Sequence, residues 1–342
     1  MTMTLELFIY IFFCICTLYY AYKGTKVSKI TTLKATIAFF IGVVWFSIVR
    51  TSGFDVDINT YVEYLDNATL LLLLEGSYFL REFVFWGVFI GGNIFIQDSV
   101  LTLIFIDILV LFFLIKTILN FRLPYYSFFL LLCFFPNLMG YENVYRQYIS
   151  TILTLYAISL AYRSNLNETK KELKSYVFLI VAGFCHNVAF LFFPLLFFFK
   201  KRYKLGTLLS IIICVALPII SSSKSEMETG DVPVIFFLVA IIVLYMFYLF
   251  INSFKLNKRY IYVFSFIFIL IIESVAILTG AASKRITMFA LDIILIFIII
   301  SLSNSKFNFL SYRLVVFLLS LSMLAPTFLS NSSFQMLLTS NK

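Results

Sequence analysis

Apolar runs of roughly 17 to 22 residues follow one another from the first residues of the chain to the last, separated by short polar turns. Each is about the length of a helix that crosses a bilayer. In hydrocarbon a backbone satisfies its own N–H and C=O groups only as a helix or a closed barrel. The composition points to lipid as the solvent: 62% of the 342 residues are hydrophobic and only 13% are charged. A soluble domain of this length has too little interior to hide so much apolar surface. The expectation is an all-α, polytopic integral membrane protein, a single membrane domain over residues 1–342.

The first run, Leu5 to Tyr22, lacks a basic leader and a small-residue cleavage site, and reads as a first transmembrane helix. The five cysteines, Cys14, Cys16, Cys133, Cys185 and Cys214, all fall inside apolar runs, so neither a disulfide framework nor a metal cluster is expected.

Charge then orients the spans. Most of the 26 lysines and arginines cluster at 23–34, 116–122, 163–174, 200–204, 255–259 and 306–313, the mark of cytoplasmic turns. Acidic residues gather elsewhere, in an acidic and aromatic loop over 50–82 and again at Glu226, Glu228 and Asp231, which places those segments outside. Both flanks of 176–199 are basic, so this run is expected to enter and leave on the cytoplasmic side as a re-entrant hairpin broken near Gly183 to Asn187. Residues 79–95 pose the mirror problem. The resulting expectation is about ten full transmembrane helices, near 5–22, 33–49, 98–117, 124–141, 144–162, 205–221, 233–251, 260–279, 285–302 and 312–330. Two incomplete insertions accompany them, and both termini lie outside. Twelve ordinary spans with two violations of the charge rule are the alternative.

A few cations fall on the wrong side for simple anchoring: Arg50, Arg81, Arg146, Lys284 and Arg285. Arg146 and Arg285 are each expected to open a helix whose N-terminus points outwards, with Ser283 capping the second. Free N–H groups and the positive end of the dipole favour an anion there, and a guanidinium adds donors suited to phosphate. Together the two helix starts make a candidate diphosphate clamp. The competing reading pairs each arginine with a local carboxylate, Glu142 in the case of Arg146. Tyr141, Tyr145 and Gln147 flank Arg146 as candidate substrate contacts. Asp55, Asp57, Glu63, Tyr61 and Tyr64 in the outer loop are carboxylates and rings of the kind that bind sugars, or that line an ordinary solvated loop. Glu273 and Asp292 are expected in the outer half, lining the same cavity or pairing with Arg285. His186, the single histidine, sits at the expected hairpin break, as a packing residue or as a titrating group.

No Walker loop, HExxH, GxSxG or CxxC pattern occurs, so nucleotide-driven and ordinary hydrolase chemistry lose their usual support. Neither a metal nor another cofactor is expected, and the net charge of +9 is distributed by membrane side rather than pointing to nucleic acid.

The order of "GFDVDINTYVEY", "LEGSYFL", "YRQYIS", "GFCHNVAFLFF" and "SKRITMF" along residues 50 to 300 resembles the EpsG family of Wzy-like bacterial polysaccharide polymerases. The resemblance implies glycosyl transfer at the outer, periplasmic face of the bacterial inner membrane, in O-antigen, capsule or exopolysaccharide synthesis. The donor would be a glycan on undecaprenyl diphosphate and the acceptor a second lipid-linked repeat unit. The arginines would stabilise the departing diphosphate, assisted by Lys284. His186, Asp55, Asp57 or Glu63 would take the acceptor proton. Membrane lipid, and a flippase and a chain-length regulator of the same pathway, are the implied partners. An O-antigen ligase, a lipid-linked oligosaccharide flippase and a membrane acyltransferase are the competing functions.

Overall fold

The computed structural model describes residues 5–23, 31–52, 56–66, 81–163, 169–221, 234–252, 257–278, 280–304, 309–329 and Leu337, and among these every regular element is helical. In chain order they are α1 (Leu5–Lys23), α2 (Thr32–Thr51), α3 (Val56–Asp66), α4 (Phe83–Ile96), α5 (Ser99–Phe121), α6 (Tyr126–Cys133), α7 (Phe135–Glu142), α8 (Tyr145–Arg163) and α9 (Thr169–Cys185). A 3₁₀ turn (Asn187–Phe192) follows, then α10 (Phe193–Phe199), α11 (Tyr203–Ser221), α12 (Val234–Ile251), α13 (Lys258–Ile277), α14 (Gly280–Ser303) and α15 (Phe309–Leu329).

Seven of these, α1, α2, α5, α12, α13, α14 and α15, are long and apolar enough to cross a membrane. They coincide with seven of the ten expected spans. The other three differ. The run 203–218 is a shorter apolar helix, and α8 has spanning length but carries more polar residues. The run 124–141 is not one helix at all, because it breaks at Phe134.

Pro136 explains that break. It has no N–H for the carbonyl of Leu132, and its ring displaces the turn before it. In hydrocarbon the freed carbonyls must find other donors, and the structure supplies side-chain donors for three of them. Asn137 Nδ2 donates to Leu131 O at 2.9 Å, Tyr141 Oη to Leu132 O at 3.3 Å, and Tyr10 Oη, from α1, to Cys133 O at 2.8 Å. Asn137 also donates to Asp292 Oδ1 at 2.8 Å, which anchors the break to α14. Asp292 is therefore buried inside the bundle rather than lining an outer cavity.

Helix α14 is the centre of the fold. It packs on α12, α13, α8 and α7 and is buried along almost its whole length. Helix α12 is the opposite case, with Ile235, Phe236, Val239, Ile242, Val243 and Met246 all exposed, a greasy face suited to lipid.

The chain reverses at His186. Helix α9 stops at Cys185, His186 is extended (φ −157°, ψ 121°), and the return path begins with the 3₁₀ turn and Pro194. The two arms lie against each other. Tyr176 on α9 meets Phe193 and Phe197 on α10 with ring centroids 6.0 and 5.7 Å apart. At the open end, Glu172 pairs with Arg202 at 3.0 Å and Lys200 at 3.7 Å. At the closed end Gly183 faces the Phe190 ring, which a Cβ would approach to 2.3 Å, so glycine is what lets the arms close.

Candidate functional site

The turn Asn143–Val144 joins α7 to α8. Its backbone is held by Asn143 N–H and Val144 N–H donating to Met139 O, both at 3.0 Å. A Cβ on Gly140 would lie 2.9 Å from the Tyr148 Cβ, so glycine there permits the close approach of the two helices. From this start, the residues of "YRQYIS" fan out to different elements.

Tyr145 points inwards. Its hydroxyl donates to Asp107 Oδ1 at 2.6 Å, and its ring lies under the Arg50 guanidinium, 4.6 Å from the centroid. Arg50 Nε meets Asp107 Oδ2 at 2.7 Å, so α2, α5 and α8 are tied by one buried ion pair. Arg50, Tyr145 and Tyr141 were expected to touch substrate. The structure buries all three: Arg50 is 2% exposed, and both tyrosines are fully enclosed. They brace the helix start from inside.

Arg146 points the other way, to Glu82 at the start of α4. Its Nη1 pairs closely with Glu82 Oε2, its Nε donates to Tyr61 Oη at 3.0 Å, and its guanidinium stands 5.6 Å from the Tyr61 ring centroid. The carboxylate partner is thus Glu82, 64 residues away in sequence, and not the neighbouring Glu142. Tyr61 reaches this place from α3, seated among Phe85, Trp86 and Phe89. The other oxygen of Glu82 lies 3.8 Å from His186 Nδ1. The hairpin break is therefore beside Arg146, and Ser150, one turn below it on α8, fastens the two by donating to Ala182 O at 2.7 Å.

Gln147 Nε2 donates to Arg285 O at 3.1 Å, which brings the beginning of α14 next to that of α8. Helix α14 begins at Gly280, so Arg285 sits in its second turn. Ser283 does not cap it; it donates to Ser274 O at 2.7 Å and locks α14 to the end of α13. Arg285 is half-buried and forms no ion pair with any described carboxylate. Lys284 beside it is also half-buried, as is Glu273, next to Ser274.

Arg81, Glu63 and Tyr64 are exposed, Tyr64 with its ring against Trp86 at 5.8 Å. Asp55 lies outside the described residues, and so does the side chain of Asp57. Sequence reasoning missed Glu82 as the partner of Arg146. A carboxylate placed directly before a long apolar run is the one signal it offered. A cavity of about 360 Å³, between Arg122, Arg163 and Asn304, lies at the far end of α8, remote from this cluster.

Comparison with known protein families matches residues 34–225, more than half of the chain, to the EpsG family. The chain belongs to the EpsG family. This is a family of Wzy-like polysaccharide polymerases, and the chain is a polymerase-like, multi-pass membrane protein. The EpsG match contains Tyr61, Glu82, Arg146 and His186, while Arg285 lies beyond it. No curated protein and no solved structure matches.

Proposed function

We propose that this EpsG-family protein joins undecaprenyl-diphosphate-linked oligosaccharide repeat units at the outer face of the bacterial inner membrane. The observation that carries the reading is the Gln147–Arg285 bond. It sets the first turn of α8, which carries Arg146, beside the second turn of α14, which carries Arg285, so that the α8 dipole and two guanidinium groups favour an anion. The distribution of basic turns directs this end outwards. The meeting of Glu172 with Lys200 and Arg202 supports a hairpin that enters and leaves on the cytoplasmic side.

In the reaction, an acceptor sugar hydroxyl attacks the anomeric carbon of the donor. The new C–O bond forms as the bond to the diphosphate breaks, and the electron pair leaves on the diphosphate. Arg146, Arg285 and Lys284 offset that charge as it grows. His186 takes the hydroxyl proton. Tyr64 presents its ring, and Glu63 and Arg81 polar groups, to the sugars nearby, while Tyr61, buried, holds Arg146 from behind.

Deletion of the chain in its native host tests this directly. Gel analysis is expected to show surface glycan one repeat unit long. Free polymer not joined to its acceptor core would instead mean a ligase, and loss of outward-facing glycan would mean a flippase. The topology has its own check, a membrane-impermeant thiol reagent applied to single cysteines at 200–204. Protection in intact cells and labelling after permeabilisation are expected, and labelling in intact cells would overturn the hairpin.

A further inference from the structure

Glu82 is shared. One oxygen holds Arg146, the group assigned to the diphosphate, and the other faces His186 Nδ1 at 3.8 Å, too far for a hydrogen bond. His186 Nδ1 meanwhile accepts from Val188 N–H at 3.4 Å, as the N-cap of the 3₁₀ turn. That acceptor role assigns the ring proton to Nε2. An imidazole in this tautomer has no bare Nε2 with which to take a proton from a sugar hydroxyl. Freeing Nε2 requires a proton on Nδ1, and a proton there needs an acceptor. Glu82 Oε1 becomes that acceptor by closing from 3.8 Å to roughly 2.8 Å, but the pairing with Arg146 holds it back.

An incoming diphosphate competes for the same guanidinium. It carries more charge than a carboxylate and binds an arginine fork through two oxygens. It also finds Arg285 on the neighbouring helix, with no described carboxylate to displace. We propose that Glu82 occupies the diphosphate's place on Arg146 in the unliganded protein, and that donor binding displaces it onto His186. The ring, 4% exposed before the donor is seated, then exchanges its Nε2 proton for one on Nδ1 through water admitted as Glu82 moves, and the Val188 N–H bond to Nδ1 breaks. Nε2 takes the acceptor hydroxyl proton, and the resulting imidazolium is held by the Glu82 carboxylate. The base is armed only when a donor is seated. Glu82 is on this account a positioning residue, acting through Arg146 and then through His186. The proposal rests on the diphosphate reading of the site.

The test uses purified full-length protein in nanodiscs, with farnesyl diphosphate as a short polyprenyl diphosphate probe and a lipid-linked repeat unit as substrate. Glu82→Gln is expected to bind the probe roughly threefold to tenfold more tightly, because no carboxylate has to leave Arg146. Its polymerisation turnover is expected to fall by at least about tenfold, because His186 loses its acceptor. A purely structural role for Glu82 would weaken binding and turnover together, and that result overturns the proposal. Glu82→Asp, one methylene shorter, loosens both contacts while keeping the charge. It is expected to shift in the same two directions, and carries the test where the Gln variant is not recovered folded. Arg146→Ala separates the two levels of inference. If it binds the probe as wild type does, the diphosphate reading itself is wrong. If it loses the probe while Glu82→Gln binds no more tightly than wild type, the displacement is wrong and the diphosphate reading stands.

Discussion

Arg146→Ala is expected to lower polymerisation about 10²-fold or more, the cost typical of removing one donor aimed at developing negative charge. Loss of activity alone would not separate chemistry from folding, because the substitution also strips Glu82 of its guanidinium partner. Removing one member of a largely desolvated pair is strongly destabilising. The double variant Arg146→Ala/Glu82→Gln removes that imbalance. It is expected to recover abundance and thermal stability in detergent while remaining without polymer. Recovery of normal chain length in the double variant would mean that Arg146 serves only to neutralise Glu82, and the clamp would fall. Arg146→Lys is expected to regain only part of the activity. A lysine keeps the charge but loses the planar fork and the arrangement over Tyr61.

The arginine itself was legible because a permanent cation at the beginning of an apolar run is costly without a partner. The identity of the partner was not. Glu82 reaches Arg146 through the path of the chain in space, and local sequence offers Glu142 as the nearer carboxylate. Arg50 shows the same limit: the sequence places it near an outer span end, but only the packing of α2 on α5 reveals Asp107 opposite it. The break at Phe134 had a readable cause in Pro136, yet hydropathy continues smoothly across it and hides the interruption. What no pattern discloses is which helix is central. In water the buried face of a helix is marked by an apolar stripe. In lipid, protein neighbours and lipid tails accept the same side chains. Helices α12 and α14 are both strongly apolar, yet α12 turns a broad face outwards and α14 is enclosed. Sequence therefore located the ends of the spans, where charge is informative, better than their middles, where it is absent.

The second large effect is expected away from the chemistry, in the pair formed by Arg50 and Asp107. Both side chains are almost wholly enclosed, and Tyr145 Oη and the Tyr145 ring complete their surroundings. Substituting Asp107→Ala leaves the Arg50 guanidinium against the Tyr145 ring without its carboxylate partner, in a region that excludes water. Breaking a buried pair from one side in this way costs about 3–5 kcal/mol. The expected result is a large fall in melting temperature in detergent and in the amount of protein recovered from membranes. Replacing both partners, as Arg50→Met/Asp107→Leu, removes the charge imbalance and is expected to restore most of that stability, since apolar groups of similar volume often replace a buried pair at little cost. The fate of activity in the double variant is the more telling measurement. Tyr145 is bonded to Asp107 on one side and adjoins Arg146 in the chain on the other. If the pair acts by fixing the first turn of α8, the stabilised double variant will polymerise slowly, with Arg146 no longer held in register with Glu82 and Arg285. Wild-type turnover in that variant would show that the pair serves folding alone, and that the Gln147–Arg285 and Ser150–Ala182 bonds are enough to position the helix start.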